Sequence, residues 1–351
     1  MKIDLHRHMG GSLKPSIIWK VINSQPELRG LTDSLKSVEE AMTYKYDDLS
    51  HLTFHKFLQK FNILSYIRWN EKYIDLVIQN AIKDLSDEGI EYCELRFTID
   101  KYLNHLPWDE TEACLFVLNR IKYWSKHYNI EIGPVLCLKY ETAKVNSKRI
   151  SKLIHHWKVA EDVVALDFVG AESHFERRFL LDCFRHWRLC GKGLLIHAGE
   201  TQSPENIRIA VEELGVNRIA HGITAAMDEK YDYILSLARN NGVAFDVALH
   251  SNFYTGVVPA PNFKTEVPYH PVVKMLMHGC NVTLGTDDPA TFNITLDDEY
   301  RMLEKILNKH SELSEAEIKS TIEEVKENSL HHSLNLKGSF KNWDHSKVEH
   351  E

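Results

Sequence analysis

The sequence lacks the features of nucleic-acid-binding, membrane-spanning and disulfide-rich proteins. Its 42 Lys and Arg residues are outnumbered by 50 Asp and Glu, so the formal net charge of −8 has the wrong sign for binding a phosphate backbone. The six cysteines form no C-x-x-C pair, which argues against a zinc knuckle or a disulfide scaffold and favours a reduced, cytoplasmic setting. No apolar run approaches the roughly 20 residues that span a bilayer, and the first residues do not resemble a secretion signal. We therefore expect no nucleic-acid polymer and no membrane as partner.

Eight short runs rich in Val, Ile, Leu and Cys alternate with longer stretches that are compatible with helices, which is typical of βα units around a parallel sheet. Eight such strands close a barrel. The sequence therefore predicts an α/β fold, a (β/α)₈ TIM barrel, formed by one domain over residues 1–351 with a loose tail at about 337–351. The predicted strands are 2–6, 90–98, 131–140, 163–170, 193–200, 217–223, 243–252 and 281–288.

The segments between the predicted strands carry helix signals. Residues 71–88 have apolar side chains at three- and four-residue spacing and are followed by Gly89, while residues 204–214 begin at a proline and stop before a glycine. Ser314 and Glu317 have the spacing of a capping box that opens a C-terminal helix. Because 20–70 is longer than one crossover helix requires, we expect it to add helices over one end of the barrel as a lid.

Four potential metal ligands lie at the predicted carboxyl ends of strands, where barrel enzymes place their sites. His6 and His8 are two residues apart on a strand and therefore point to the same face. His197 ends the fifth run and Asp287 the eighth. Three imidazoles and one carboxylate suit Zn²⁺ with a position left for water, although Fe, Mn or Co could use the same ligands.

Two further residues are suited to moving or holding a proton near this metal. Glu200, three residues after His197 in the string H-A-G-E, lies too far along the turn to be an obvious ligand and is free to act as a general acid or base. His221 ends the sixth run and could orient the attacking oxygen. The alternatives are a carboxylate that starts a helix and a histidine buried in the core.

These strings, in this order, resemble the adenosine deaminase family over nearly the whole chain. The resemblance rests on H-x-H-x-x-G at 6–11, F-L-Q-K-F at 57–61, E-L-R-F at 94–97, V-G-A-E at 169–172, H-A-G-E at 197–200, A-H-G at 220–222, S-N at 251–252 and T-D-D-P at 286–289.

The resemblance implies hydrolytic deamination of an aminopurine, with one zinc ion held by His6, His8, His197 and Asp287. Glu200 would protonate purine N1, while His221 and Asp287 would position the attacking hydroxide and handle its proton. The backbone N–H of Gly170 would hold N3. Asp288 would bond to N7, and His8 would also contact the substrate.

Two departures from the family's strings concern the substrate rather than the reaction. Gly10 stands where adenosine deaminases carry an acidic residue that holds the ribose, and A-L-H at 248–250 replaces the family's Cys-Pro, which leaves the role of His250 open. We therefore expect a purine with a larger, anionic substituent to be preferred over plain adenosine. The rival interpretations are a two-metal amidohydrolase or phosphoesterase on the same barrel, with Lys139 as bridging ligand, and a non-catalytic zinc-binding barrel. The oligomeric state is left open.

Overall fold

The structure is a computed structural model that describes residues 1–28, 30–31, 34–44, 52–142, 145, 148–149, 152–153, 156–188, 190–260 and 266–334. The tail expected at 337–351 lies outside the described residues, as do three parts of the 20–70 segment.

Eight parallel strands form one sheet in which each strand pairs with its neighbours in sequence. The strands are β1 (Ile3–His8), β2 (Tyr92–Phe97), β3 (Glu131–Lys139), β4 (Ala165–Val169), β5 (Gly193–Ala198), β6 (Arg218–His221), β7 (Ala244–Val247) and β8 (Asn281–Leu284). A parallel bridge between Arg7 and Asp287 joins the first strand to the segment after the last. There, the N–H of His8 donates to the carbonyl of Asp287 (2.8 Å), whose N–H donates to the carbonyl of His6 (2.7 Å). The predicted TIM barrel is confirmed.

Helices surround the sheet in the described part of the chain, where no helix is both long and apolar enough to cross a membrane. The α-helices are α1 (Pro15–Asn23), α2 (Leu35–Met42), α3 (Phe54–Gln59), α4 (Glu71–Asp87), α5 (Asp100–Leu103), α6 (Glu110–Tyr128), α7 (Trp157–Asp162), α8 (Arg177–Arg188), α9 (Glu205–Ile209), α10 (Asp232–Asn240), α11 (Leu249–Tyr254), α12 (Val272–Met277), α13 (Pro289–Phe292), α14 (Leu296–His310) and α15 (Glu315–His331). Shorter 3₁₀ turns span Pro26–Leu28, Asn62–Tyr66, Tyr140–Thr142, Glu172–His174, Ile223–Ala226 and Glu229–Tyr231, and a π turn spans Ala210–Leu214.

The predicted helix boundaries agree closely with the structure. Helix α4 covers the predicted 71–88 to within one residue, and the helix predicted at 204–214 begins after Pro204 but widens into the π turn before Gly215. Ser314 and Glu317 form the predicted capping box at the start of α15. Arg7 points outward from the barrel and donates to Glu88, next to α4, in keeping with a structural role.

One predicted strand is wrong in its second half. The strand expected at 243–252 ends at Val247, and the following residues form α11. The first N–H groups of that helix need partners outside it. The buried carboxylate of Glu299 accepts from the N–H groups of Leu249 and His250 (2.7 and 3.1 Å), which stabilises a helix start where the sequence pattern indicated a strand end.

The interior of the barrel is unusually polar below the site. Arg96 contacts Asp167 (2.7 Å) and Asp246 (3.2 Å), and Arg218 contacts Asp246 (2.9 Å) and Glu94, all with side chains almost fully excluded from solvent. Barrel interiors are more often filled by layers of branched apolar side chains. Here ion pairs on β2, β4, β6 and β7 join strands across the barrel.

Candidate active site

Four side chains converge at the carboxyl ends of β1, β5 and β8 with their potential ligand atoms all within 4.8 Å of one another: His6, His8, His197 and Asp287. Asp287 Oδ1 lies 3.3 Å from Nε2 of both His6 and His8, and His8 Nε2 lies 3.3 Å from His197 Nε2. Atoms bound about 2.0–2.1 Å from a tetrahedral zinc ion lie about 3.3 Å apart. Nε2 of His6 is buried without a hydrogen-bond partner, which is uncommon for a buried polar atom. A cation between the four side chains would provide that partner.

Closure of the barrel places the carboxylate beside the two histidines of β1. The backbone of Asp287 bonds to both His6 and His8, so its side chain is held between theirs. Asp287 adopts a left-handed backbone conformation with φ of 58°, which is uncommon for a residue other than glycine. The seam of the barrel, where β1 meets the segment after β8, therefore brings together three of the four potential ligands.

The second ring nitrogen of two histidines is fixed by groups behind the site. Nδ1 of His197 lies 3.1 Å from a carboxylate oxygen of Asp167, and Nδ1 of His6 lies 3.3 Å from the carbonyl of Asp246. Because both partners are acceptors, Nδ1 carries the proton in each ring and Nε2 keeps its lone pair toward the cluster. Outer partners of this kind orient metal-binding histidines in proteins.

Asp287 remains ionised although it is buried. Burial alone would raise its pKa, but His6, His8 and His221 outweigh burial and hold the pKa well below its usual value. Its second oxygen accepts a hydrogen bond from the hydroxyl of Ser251 (2.7 Å). The carboxylate thus offers one oxygen to the cluster while the other is held in place.

Glu200 lies next to the cluster on a turn that a second carboxylate organises. The side chain of Glu172 accepts from the backbone N–H groups of Gly199, Glu200, Thr201 and Gln202 at 2.6–3.2 Å. Burial, followed by the charges of Asp287 and Glu172, raises the pKa of Glu200 well above its ordinary value. This shift favours the protonated form of Glu200, which is able to donate a proton.

Asp288 is a third carboxyl group facing the same cavity. Burial, with the charges of Asp287 and Glu200, raises the pKa of Asp288 well above its usual value, which favours its protonated form. A Cβ atom at Gly11 would lie 1.7 Å from Asp288 Oδ1, so only glycine leaves room for this side chain. The glycine that ends H-x-H-x-x-G is thereby explained.

His221 faces the reacting region from β6. Its Nε2 lies 3.7 Å from a carboxylate oxygen of Glu200 and 3.8 Å from Asp287 Oδ2, while Nδ1 lies 3.1 Å from the amide nitrogen of Asn252. Burial lowers its pKa well below the ordinary value, so the ring is neutral.

A cavity of about 490 Å³ opens onto these groups, a volume within the usual range for small-molecule sites. Gly170 lines it and has a backbone φ of 100°, a conformation that favours glycine. The opposite wall is apolar and comes from the segment expected to act as a lid, through Phe54, Phe57, Leu58 and Phe61. Phe57 stacks on Phe292 of α13 (ring centroids 5.7 Å apart), which anchors this segment to the barrel.

Two lysines make one side of the cavity positively charged, which was not predicted from the sequence. Lys139 ends β3 and Lys101 lies on α5. Lys101 Nζ sits 4.9 Å from the ring centre of Trp69 and 5.1 Å from that of Tyr102. Burial and repulsion from Lys139 lower the pKa of Lys101 to about 8.

Every residue predicted to act in catalysis or to bind the metal or the substrate lines this cavity except His6, which lies just beneath it in the cluster. Three residues that hold the site from behind were not predicted from the sequence: Asp167 contacts His197, Glu172 holds the turn at Gly199, and His270 contacts Asn252. The sequence also indicated no role for His250, which is buried in α11 with Nδ1 2.8 Å from Glu299 and thus stabilises the helix start. Spacing rules could not have found these residues because each acts on a partner distant in the chain.

Comparisons with known proteins agree with this geometry. The family model described as adenosine deaminase matches residues 1–334. The adenosine deaminase of Clostridium kluyveri is 29% identical over 313 residues, covering 87% of this chain and 83% of that protein. A zinc-bound amidohydrolase from Burkholderia ambifaria superposes with a TM-score of 0.78 at 14% identity, covering 97% and 87% of the two chains. The N6-mAMP deaminase of Arabidopsis gives 0.76 at 18% identity, covering 97% and 95%.

The two solved structures share 14% and 18% identity with this chain and therefore show only its fold. The family match spans residues 1–334 and shows the family. Most of the strings on which the resemblance rests contribute a residue to the lining of the cavity. The chain therefore belongs to the adenosine deaminase family and is a hydrolase that acts on the C–N bonds of cyclic amidines.

Proposed function

We propose that this protein is a zinc-dependent aminopurine deaminase that releases ammonia from the 6-position of a purine carrying an anionic substituent. The observation that carries the proposal is the group of four converging potential ligands beside the buried Glu200, whose pKa is raised well above its ordinary value. Purine deamination itself follows from the family; the metal, the roles of the residues and the substrate are the parts proposed here.

The donor set fits a zinc ion. His6, His8, His197 and Asp287 offer three imidazole nitrogens and one carboxylate oxygen at the mutual spacing of tetrahedral ligands. Two of the histidines are already held in the tautomer that leaves Nε2 free. When bound, zinc supplies a hydroxide nucleophile near neutral pH by lowering the pKa of water.

The chain's own residues then divide the remaining work. Glu200 donates its proton to purine N1 as the oxygen adds to C6, which removes the aromatic stabilisation of the ring without leaving a charge on it. Asp288, being protonated, donates to N7, and the N–H of Gly170 donates to N3. The carboxylate of Asp287 takes the proton from the hydroxyl formed on C6 and passes it to the amino group, which leaves as ammonia while the C6 oxygen becomes a carbonyl.

The substrate proposal rests on the charge around the cavity. A Cβ atom added at Gly10 meets no atom within 4 Å, so the position where relatives carry an acidic residue is open space. Lys101 and Lys139 line the same cavity, and the nearby carboxylate of Glu141 is engaged by the N–H of Ala171 (3.0 Å). A phosphate or similar anion on the sugar would meet positive charge and no opposing carboxylate at Gly10. The likeness in fold to an N6-mAMP deaminase is compatible with this proposal.

Ammonia release from matched substrates tests the proposal. Zinc-loaded protein should deaminate an adenosine 5′-phosphate with a kcat/KM at least tenfold above that for adenosine or adenine. A tenfold preference for adenosine would overturn the substrate proposal but leave the reaction intact. Absence of ammonia release from every aminopurine would instead favour the non-catalytic barrel, and two metals per chain would favour the two-metal hydrolase.

A further inference from the structure

A chain of three buried side chains runs outward from His221, away from the cavity. Nδ1 of His221 lies 3.1 Å from Nδ2 of Asn252, whose Oδ1 lies 3.2 Å from Nε2 of His270. Nδ1 of His270 in turn accepts from the backbone N–H of Val272 (3.0 Å). All three side chains are almost fully excluded from solvent, so water does not compete for these bonds.

The donor and the acceptor of each hydrogen bond in this series follow from its outermost bond, between Val272 and His270. A backbone N–H can only donate, so Nδ1 of His270 is unprotonated. Burial, with a contribution from His250, lowers the pKa of His270 to about 3, so the ring is neutral and its proton is on Nε2. That proton needs an acceptor, which fixes the oxygen of the Asn252 amide toward His270 and its NH₂ group toward His221. The opposite orientation of the amide would place two donors against each other.

From this geometry we infer that His270 is a positioning residue: through Asn252 it holds His221 as the tautomer with the proton on Nε2. The inference rests on the proposed function in that the Nε2 side of His221 faces the attacking oxygen. In this tautomer His221 donates a hydrogen bond to that oxygen and has no lone pair there to accept a proton.

The distances around Nε2 agree with this role. Glu200 and Asp287 present oxygens at 3.7 and 3.8 Å, both too far for a direct hydrogen bond to His221. One oxygen atom between these groups could accept from His221. The proton released by the attacking water therefore goes to a carboxylate, which differs from the expectation that His221 shares in handling it.

Ring nitrogen NMR tests the tautomer without any substrate. Zinc-loaded protein labelled with ¹⁵N-histidine should show His221, assigned from the spectrum of His221→Gln, with Nδ1 unprotonated and Nε2 protonated. The reverse pattern would overturn the inference whether or not the protein deaminates purines.

Two variants test the positioning role. Asn252→Asp places only acceptors between the two rings, so it should move the proton of His221 to Nδ1 and lower kcat by about 10²-fold, with smaller effects on KM and on zinc content. His270→Phe keeps an aromatic ring against Phe253 but removes the donor, so the His221 ring should show both tautomers and kcat should fall.

His270→Gln is the matched control, because a glutamine can donate to Asn252 from the position of Nε2. It should recover most of the turnover lost in His270→Phe and restore the single tautomer of His221. Equal losses in both variants with an unchanged His221 spectrum would show that His270 only supports packing and would overturn the positioning role, even if Asn252→Asp failed to fold.

Discussion

At the scale of single residues, three neighbouring carboxyl groups hold protons to different extents. The histidines beside Asp287 outweigh burial and lower its pKa well below the usual value, whereas burial and the charge of Asp287 raise the pKa values of Glu200 and Asp288. Carboxyl groups whose environments push their pKa values apart are able to serve as ligand, acid and hydrogen-bond donor in one pocket. The proposed reaction uses this division, since purine N1 and N7 are acceptors that would take hydrogen bonds from protonated Glu200 and Asp288.

Glu200→Gln should separate proton donation from metal binding. The amide preserves shape but has no proton to transfer, so kcat should fall by roughly 10²-fold or more, the usual scale for a general acid. Zinc content by elemental analysis and the circular dichroism spectrum should not change. Glu229→Gln, at an exposed glutamate, is the control, and near-normal turnover of Glu200→Gln would refute the assigned role.

Gly10→Asp should alter substrate preference by charge. The new carboxylate has space, and it should repel an anionic substituent while offering a partner to the ribose of plain adenosine. The ratio of kcat/KM for adenosine 5′-phosphate to that for adenosine should drop by at least tenfold. Gly10→Asn is the uncharged control of the same shape; an equal drop in both variants would indicate steric obstruction.

Local strings predicted the residues of the cluster and the cavity but not those that hold them. His6, His8 and Glu200 lie in short strings on strand ends, where spacing alone indicates a shared face or turn. Asp167 contacts a histidine 30 positions away and Glu172 holds a turn 27 to 30 positions away. Such pairings depend on which strands are neighbours and on their register, which a pattern within one strand does not contain.

At the scale of elements, the predicted strands lie on the observed ones with ends displaced by a few residues. Alternation and composition located the buried runs, but they could not mark where a run leaves the sheet. Residues 248–252 begin a helix because the side chain of Glu299, on α14, accepts hydrogen bonds from the first N–H groups of that helix. Helices at the mouth of the barrel were predicted correctly because that prediction used only the length of the 20–70 segment and its position after the first strand.

Helix α5 gives a prediction about pH through Lys101. Because the pKa of Lys101 is lowered to about 8, the side chain is charged below pH 8 and loses its charge as the pH rises through that value. An ordinary lysine would keep its charge to about pH 10. The kcat/KM for an adenosine 5′-phosphate should therefore fall between about pH 7 and 9.5, with no matching fall for adenosine.

Two substitutions at Lys101 assign that pH dependence. Lys101→Arg keeps the charge at high pH and should remove the fall, whereas Lys101→Met should lower kcat/KM for the phosphate across the whole range. Lys126→Met, at an exposed lysine of α6, is the control. A fall that persists in Lys101→Met would show that another group causes it.

At the scale of the whole molecule, the ion pairs inside the barrel connect strands that are far apart in sequence. Arg218→Met would leave Glu94 and Asp246 buried without their cation, so it should lower the free energy of unfolding by about 3–5 kcal/mol in urea titrations. Arg301→Met, which breaks an exposed pair with Asp298, should cause no measurable change. Equal stability of the two variants would contradict a structural role for the interior charges.

The organisation of residues 1–351 as one domain and the cytoplasmic location remain predictions. The family match to residues 1–334 and the eight consecutive strands fit a single unit, and the site draws on residues from both ends of that unit. Asp287 and His6 lie 281 positions apart, yet the backbone N–H of Asp287 donates to the carbonyl of His6 where the first and last strands meet. Metal binding and closure of the barrel are therefore expected to be coupled.

That coupling predicts that zinc supports the fold as well as the reaction. Purified protein should hold close to one zinc per chain, and its removal by a chelator should lower Tm, because a ligand that binds only the folded state stabilises it. His197→Ala should lose both metal and activity, and chelator should then have little further effect on its Tm. His174→Ala, at an exposed histidine outside the cavity, should behave like the unaltered protein. An unchanged Tm after complete removal of zinc would show that the seam closes without the metal and that zinc serves the chemistry alone.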